Sequence, residues 1–167
     1  MSTKKITFHL GPRNCGKSEF VERELKDFEN KVYIGTLPKI SKYSKTITKH
    51  RCRRGKDWET IELSFNFEKD ISKINNVIKK KQRVSSCMLD GIWTWYYFTN
   101  QKLNNNFCPI YFADKLSEII KDNNIVWKLV DVFYNNSEIG LNRTLLLIQN
   151  RIIENLEITN IINWSNE

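Results

Sequence analysis

The chain is poor in the features that mark secreted, membrane-bound or metal-stapled proteins. Its four cysteines, Cys15, Cys52, Cys87 and Cys108, form no C-x-x-C pair and have no histidine at ligand spacing. Neither a zinc site nor a disulfide framework is expected from them. No apolar run approaches membrane-spanning length, and the first residues lack the apolar core of a signal peptide. A protein of the reducing cytoplasm, with no membrane partner, is the expectation. No repeat, low-complexity tract or linker divides the sequence, so 1–167 is expected to be one domain.

What is present is basic and globular. Hydrophobic residues make up 40% and aromatics 12% of the chain, enough for a packed core rather than disorder. The net charge of +8 raises the question of nucleic acid. Much of that charge is scattered, with local runs at Lys39–Lys56 and Lys79–Arg83. A polyphosphate ligand explains the first run as well as DNA would, and the second reads as a solvated helix end. A nucleic-acid partner is therefore not the expectation.

The strongest local signal is Gly11, Pro12, Arg13, Asn14, Cys15, Gly16, Lys17 and Ser18, which spell G-x-x-x-x-G-K-S. The apolar stretch Ile6–Leu10 before it reads as a buried strand, and Glu19–Lys26 after it as a helix. Strand, loop and helix are the context a phosphate-binding loop requires. Its glycines let successive amide N–H groups converge on phosphate oxygens at a helix N-terminus. Lys17 would reach the β- and γ-phosphates, and the Ser18 hydroxyl would ligate Mg2+.

Further strands are expected at Lys31–Thr36, Ile61–Leu63, Ser86–Asp90, Ile125–Phe133 and Ile158–Trp164. Helices are expected at Ile40–Lys49, Phe67–Lys81, Gly91–Phe98, Ile110–Lys121 and Arg143–Leu156, with a basic loop between Lys49 and Ile61. Strands alternating with helices imply an α/β fold, a P-loop domain with a mostly parallel sheet covered on both faces. The aromatics Trp93, Trp95, Tyr96, Tyr97 and Phe98 fit a helix packed on that sheet or a subunit interface.

Two further positions bear on chemistry. Asp90 ends an apolar strand, where P-loop proteins place a second acid near Mg2+, although a turn or helix-capping aspartate fits the same position. His50 opens a segment that carries Arg51, Arg53, Arg54 and Lys56. Neighbouring cations and burial both disfavour imidazolium, and a neutral imidazole nitrogen is a competent nucleophile towards an α-phosphorus atom. A histidine in a basic surface loop is the competing reading.

The order of these motifs resembles the bifunctional adenosylcobinamide kinase/adenosylcobinamide-phosphate guanylyltransferases of cobalamin biosynthesis. The matching stretches are Gly11–Ser18, Tyr33–Thr36, His50–Glu62 with its histidine, tryptophan and glutamate spacing, Cys87–Asp90 and Asn136–Gly140. The chain departs from the family pattern at Pro12, Cys15 and Gly55 and in a shortened segment after Gly140. The resemblance implies phosphorylation of adenosylcobinamide by ATP or GTP, then transfer of GMP from GTP through a histidine to the new phosphate. It makes His50 the GMP acceptor. It places Gly35, Thr36, Leu37, Arg51, Cys52, Arg53, Arg54, Glu62 and Asp90 around the nucleotide, beside the loop from Gly11 to Ser18. It also implies a homotrimer. Two rivals remain open at this stage: a relative that binds GTP or ATP but has lost a corrinoid activity, and a basic nucleotide switch.

Overall fold

The computed structural model describes residues 6–80, 83–133 and 142–165. The stretch Asn136–Gly140 lies outside them, as do Lys81 and part of the Lys79–Arg83 run. In chain order the elements are β1 (Ile6–Gly11), α1 (Lys17–Glu24), β2 (Lys31–Gly35), a 3-10 turn (Ser41–Tyr43), α2 (Ser44–Arg54) and β3 (Trp58–Glu62). They continue with α3 (Phe67–Lys80), β4 (Ser86–Asp90), α4 (Ile92–Lys102), α5 (Pro109–Lys121), β5 (Val126–Val132), α6 (Arg143–Leu156) and β6 (Asn160–Asn163).

The described strands form one parallel sheet in the order β3-β2-β4-β5-β1-β6. This is the expected α/β architecture. Register aligns the strand ends: Gly35 pairs with Asp90, Asp90 with Val130, and Gly11 with Val132. The loops that follow β1, β2 and β4 therefore open on one edge, where open parallel sheets bind ligands.

The two-residue period of a strand sorts side chains between the faces. Phe8, Leu10, Val32, Ile34, Cys87, Leu89, Trp127 and Leu129 point into the larger core, with Trp95 and Phe112 of the overlying helices. Their neighbours Tyr33, Met88 and Val130 point the other way and meet Val21 and Leu25 from α1. The candidate site belongs to this second, thinly covered face. The aromatic run also divides. Trp95 and Tyr96 are buried, packed on Phe107 and Phe112, whereas Tyr97 is exposed.

One expectation is corrected here. The segment from His50 to Arg54 is not a loop: it is the C-terminal half of α2, which stops at Gly55 with φ of 72°. Lys, Arg and Thr supply most of the helix, and only Arg54 within it is buried. Without an apolar stripe, helical periodicity had nothing to mark.

Candidate functional site

The phosphate loop is shaped by backbone first. Gly16 precedes α1 with φ of 94°, a conformation L side chains rarely adopt, and it turns the chain so that α1 begins at Lys17. The Lys17 side chain is buried and folds back under the loop. Its ammonium donates to the carbonyl of Gly11 at 2.9 Å and to that of Pro12, and lies 3.6 Å from the Cys15 sulfur. Gly11, Pro12, Cys15 and Gly16 thus form the cradle around Lys17, while Arg13 and Asn14 line the open cavity.

That cavity, of about 320 Å3, lies at the sheet edge. Lys17, Ser18, Gly35, Thr36 and Leu37 line it, with His50, Arg51, Arg54, Glu62 and Asp90. Besides the cradle residues Gly11, Pro12, Cys15 and Gly16, two residues expected at the nucleotide from the His50 segment do not line it. Cys52 is exposed, and Arg53 turns to α1, where it forms a two-point ion pair with Glu22 at 2.5 and 3.0 Å.

Asp90 is the convergence point. Its Oδ2 accepts from the Ser18 hydroxyl at 3.0 Å and from the Tyr33 phenol at 2.8 Å, and its carbonyl accepts from Thr36 at 2.8 Å. Gly91 follows with φ of 98°, and a Cβ there would come within 2.5 Å of the Thr36 hydroxyl oxygen. The turn after β4 therefore admits only glycine without displacing Thr36. The hydroxyl of Ser18 and the carboxylate of Asp90 form a hard-oxygen donor pair suited to Mg2+. Among the described residues no group of three or more histidines, cysteines or acids could hold a metal alone. A cation here fits one that arrives with phosphate oxygens.

Arg54 and Tyr33 form a stack that sequence reasoning missed. The guanidinium carbon lies 3.4 Å from the Tyr33 ring centroid, a cation–π contact in a nearly dry setting. Burial, then the Asp90 carboxylate, pushes the Tyr33 phenol well above its ordinary range, so it remains a donor. Among the described residues Arg54 Nε and Nη1 have no hydrogen-bond partner, although Nη1 stands 3.9 Å from Glu22. Buried donors left unmade cost about 1–3 kcal/mol each, which an incoming phosphate oxygen would relieve.

His50 is half-buried on the cavity wall. Burial lowers its pKa below the ordinary value of 6.5, the Asp90 charge raises it, Arg53 lowers it, Glu22 raises it and Arg54 lowers it. The net lowering favours the neutral ring over the imidazolium. At the cavity mouth Glu62 is ion-paired to Lys39 at 2.5 Å and to Arg51, and the Lys39 hydrogen bond leads the causes that lower its pKa.

Asp131, at the end of β5, also lines the cavity and escaped sequence reasoning. Burial raises its pKa to about 6, and its oxygens accept from the Trp93 amide at 3.0 Å and from Gln149 at 2.9 Å. Nothing in an apolar strand's pattern distinguishes such an acid. Glu22 also escaped it, although a signal existed: it lies four residues after Ser18, on the same face of α1.

A phosphate-loop motif, a hydrogen-bonded hydroxyl and carboxylate, and a half-buried histidine around one cavity fit a P-loop transferase of phosphoryl or nucleotidyl groups. Residues 7–132 match the family model for cobinamide kinase / cobinamide phosphate guanyltransferase, CobU, and the chain belongs to that family. It is a kinase and nucleotidyltransferase of cobalamin biosynthesis, with GTP or ATP and cobinamide as substrates. No curated protein matches the chain. Among the described residues no helix is long and apolar enough to cross a membrane.

Proposed function

We propose that His50 is the GMP acceptor and that one cavity serves both phosphoryl and guanylyl transfer. The observation that carries this is the presence of His50 on the same cavity wall set as Lys17, Ser18 and Asp90. The triphosphate lies on the loop amides and Lys17, with Arg13, Asn14, Cys15 and Gly16 shaping the cradle. Arg54, and Arg51 once it releases Glu62, neutralise phosphate oxygens. Gly35, Thr36 and Leu37 wall the nucleotide, and Glu62 accepts hydrogen bonds from guanine or ribose donors.

In the kinase step the hydroxyl of adenosylcobinamide attacks the γ-phosphorus, its proton leaves, and the nucleoside diphosphate departs. In the second chemistry the lone pair of a neutral His50 nitrogen attacks the α-phosphorus of GTP. An N–P bond forms, the bond from that phosphorus to the bridging oxygen breaks, and pyrophosphate leaves. A phosphate oxygen of adenosylcobinamide phosphate then attacks the same phosphorus, the N–P bond breaks, and His50 is released neutral. Ser18 and Asp90 would hold Mg2+, which when bound supplies charge neutralisation to the triphosphate.

The family resemblance supports a homotrimer, and the four free cysteines support a reducing, cytoplasmic setting. A single domain over 1–167 is supported by a sheet that draws strands from Ile6 to Asn163. The experiment is intact-protein mass after incubation with GTP and Mg2+. Wild type should gain one GMP and His50→Ala none, with triphosphate binding retained. Equal labelling of the variant would overturn the role of His50.

A further inference from the structure

The helix that carries His50 has almost nothing apolar beneath it. Arg54 is its only buried residue, and apart from the 3-10 turn before it, α2 hardly approaches the backbone of another element. Burial of apolar surface, the usual anchor of a helix, is therefore small here. Two arginines stand in its place. Arg53 and Arg54 lie three and four residues after His50, on the same side of the helix. Arg53 grips Glu22 with two hydrogen bonds, and Arg54 lies between Glu22 and the Tyr33 ring.

We infer that Glu22 is a positioning residue for guanylyl transfer: through Arg53 and Arg54 it holds the His50-bearing helix against the P-loop helix. The inference rests on the reading of His50 as the GMP acceptor. Glu22 is itself buried, and it stands one helical turn beyond Ser18. Ser18 joins Asp90, Asp90 joins Tyr33, Tyr33 carries Arg54, and Arg54 returns to Glu22. The circuit closes on α1, so the element that begins at the phosphate cradle also fixes where the nucleophile stands. Glu22 touches no reacting atom. It acts by keeping the imidazole at attacking distance from a phosphorus atom whose place the loop sets.

The test follows single-turnover formation of the GMP adduct on the full chain at saturating GTP and Mg2+. Wild type, Glu22→Gln, Arg53→Gln and the double variant are compared, each with its melting temperature and its GTP affinity. Glu22→Gln should slow adduct formation by about 100-fold, the scale on which small misplacements of a nucleophile act. Its GTP affinity should stay within about threefold of wild type, so the loss falls on the chemical step. The double variant should be no slower than the slower single one, because both cut the same contact. The acid limb of the rate profile should also move to lower pH. Of the charged groups facing His50 (Asp90, Arg53, Glu22 and Arg54), Glu22→Gln removes one of the two that favour imidazolium. If Glu22→Gln folds poorly, Arg53→Gln carries the same test, since its side chain is partly exposed.

Adduct formed at the wild-type rate by a folded variant would overturn the inference. So would a parallel loss of rate and GTP affinity, or single effects that multiply in the double variant. Wild type that forms no adduct would overturn the reading of His50 itself, and this inference with it.

Discussion

The two walls of the cavity are built on opposite principles. The wall of β1, β2, β4 and α1 is rooted in packed apolar side chains, with Val21, Leu25 and Met88 fully buried behind it. The facing wall, α2, is a polar helix held by charge pairs and one guanidinium stacked on a ring. In the proposed function the first wall receives the triphosphate common to both reactions, and the second brings the nucleophile used in only one of them. Hydrophobic packing is non-directional and hard to undo, whereas ion pairs fix direction and depend on each partner.

The sharpest way to break this contrast is at the cradle. Lys17→Met should lower both activities by about 100- to 1,000-fold, the scale for losing one preorganised charge contact. Kinase and guanylyl-transfer assays on the same preparation would check it. A loss confined to the GMP adduct would mean that Lys17 serves only the second chemistry.

Stability should separate the walls next. Leu25→Ala, at the end of α1, should cost about 2–5 kcal/mol in denaturant titration, as buried leucines do. Ile47→Ala on α2 should stay within about 0.5 kcal/mol. Equal costs would show that α2 has an apolar anchor after all.

The smallest effect concerns pH. His9 is buried on β1, accepts a hydrogen bond from Trp164 at 3.0 Å, and has its pKa lowered from 6.5 to about 4 by burial, then by Lys128 and Lys17. The unfolded chain therefore takes up a proton that the folded one refuses, and stability falls as pH drops from 6.5 towards 4. Asp131 acts in the opposite sense. Its folded pKa is raised from 3.8 to about 6, so the native state binds its proton first and gains over that window as pH falls. Denaturant titrations at pH 7 and pH 5 should show a smaller acid loss in His9→Gln than in wild type. An unchanged loss would shift the acid sensitivity to other groups.

The contrast also explains how much the sequence disclosed. The phosphate loop and the strands were legible because apolar runs, glycines and a Lys-Ser pair are local signals with one reading. The six strands and most helices fall within a few residues of expectation, and the cavity gathers most of the residues the motifs singled out. The helix carrying His50 was read as a loop from Lys49 onward because its anchors are not in its own pattern. They are Glu22 and Tyr33, supplied by α1 and β2. The same non-locality hid the turn of Arg53 away from the cavity, since neighbouring arginines look alike until the partner of each is known.

The placement of β1 carries a consequence for how the chain is made. Among the described residues its sheet neighbours are β5 and β6, and Lys128 of β5 donates to Thr7 across 121 residues of sequence. At roughly 5–20 residues per second, a ribosome would keep the apolar Ile6–Leu10 segment without a strand partner for on the order of ten seconds. The last neighbour comes later still: the Trp164 amide donates to the Leu10 carbonyl at 2.7 Å, and a Cβ on Gly11 would lie 2.6 Å from the Trp164 Cβ. The cradle thus precedes its sheet neighbours in the chain yet is among the last parts to be finished. A ligand that needs the finished cradle stabilises the completed fold by binding it alone, so its support reaches β1 only after β5 and β6 are in place.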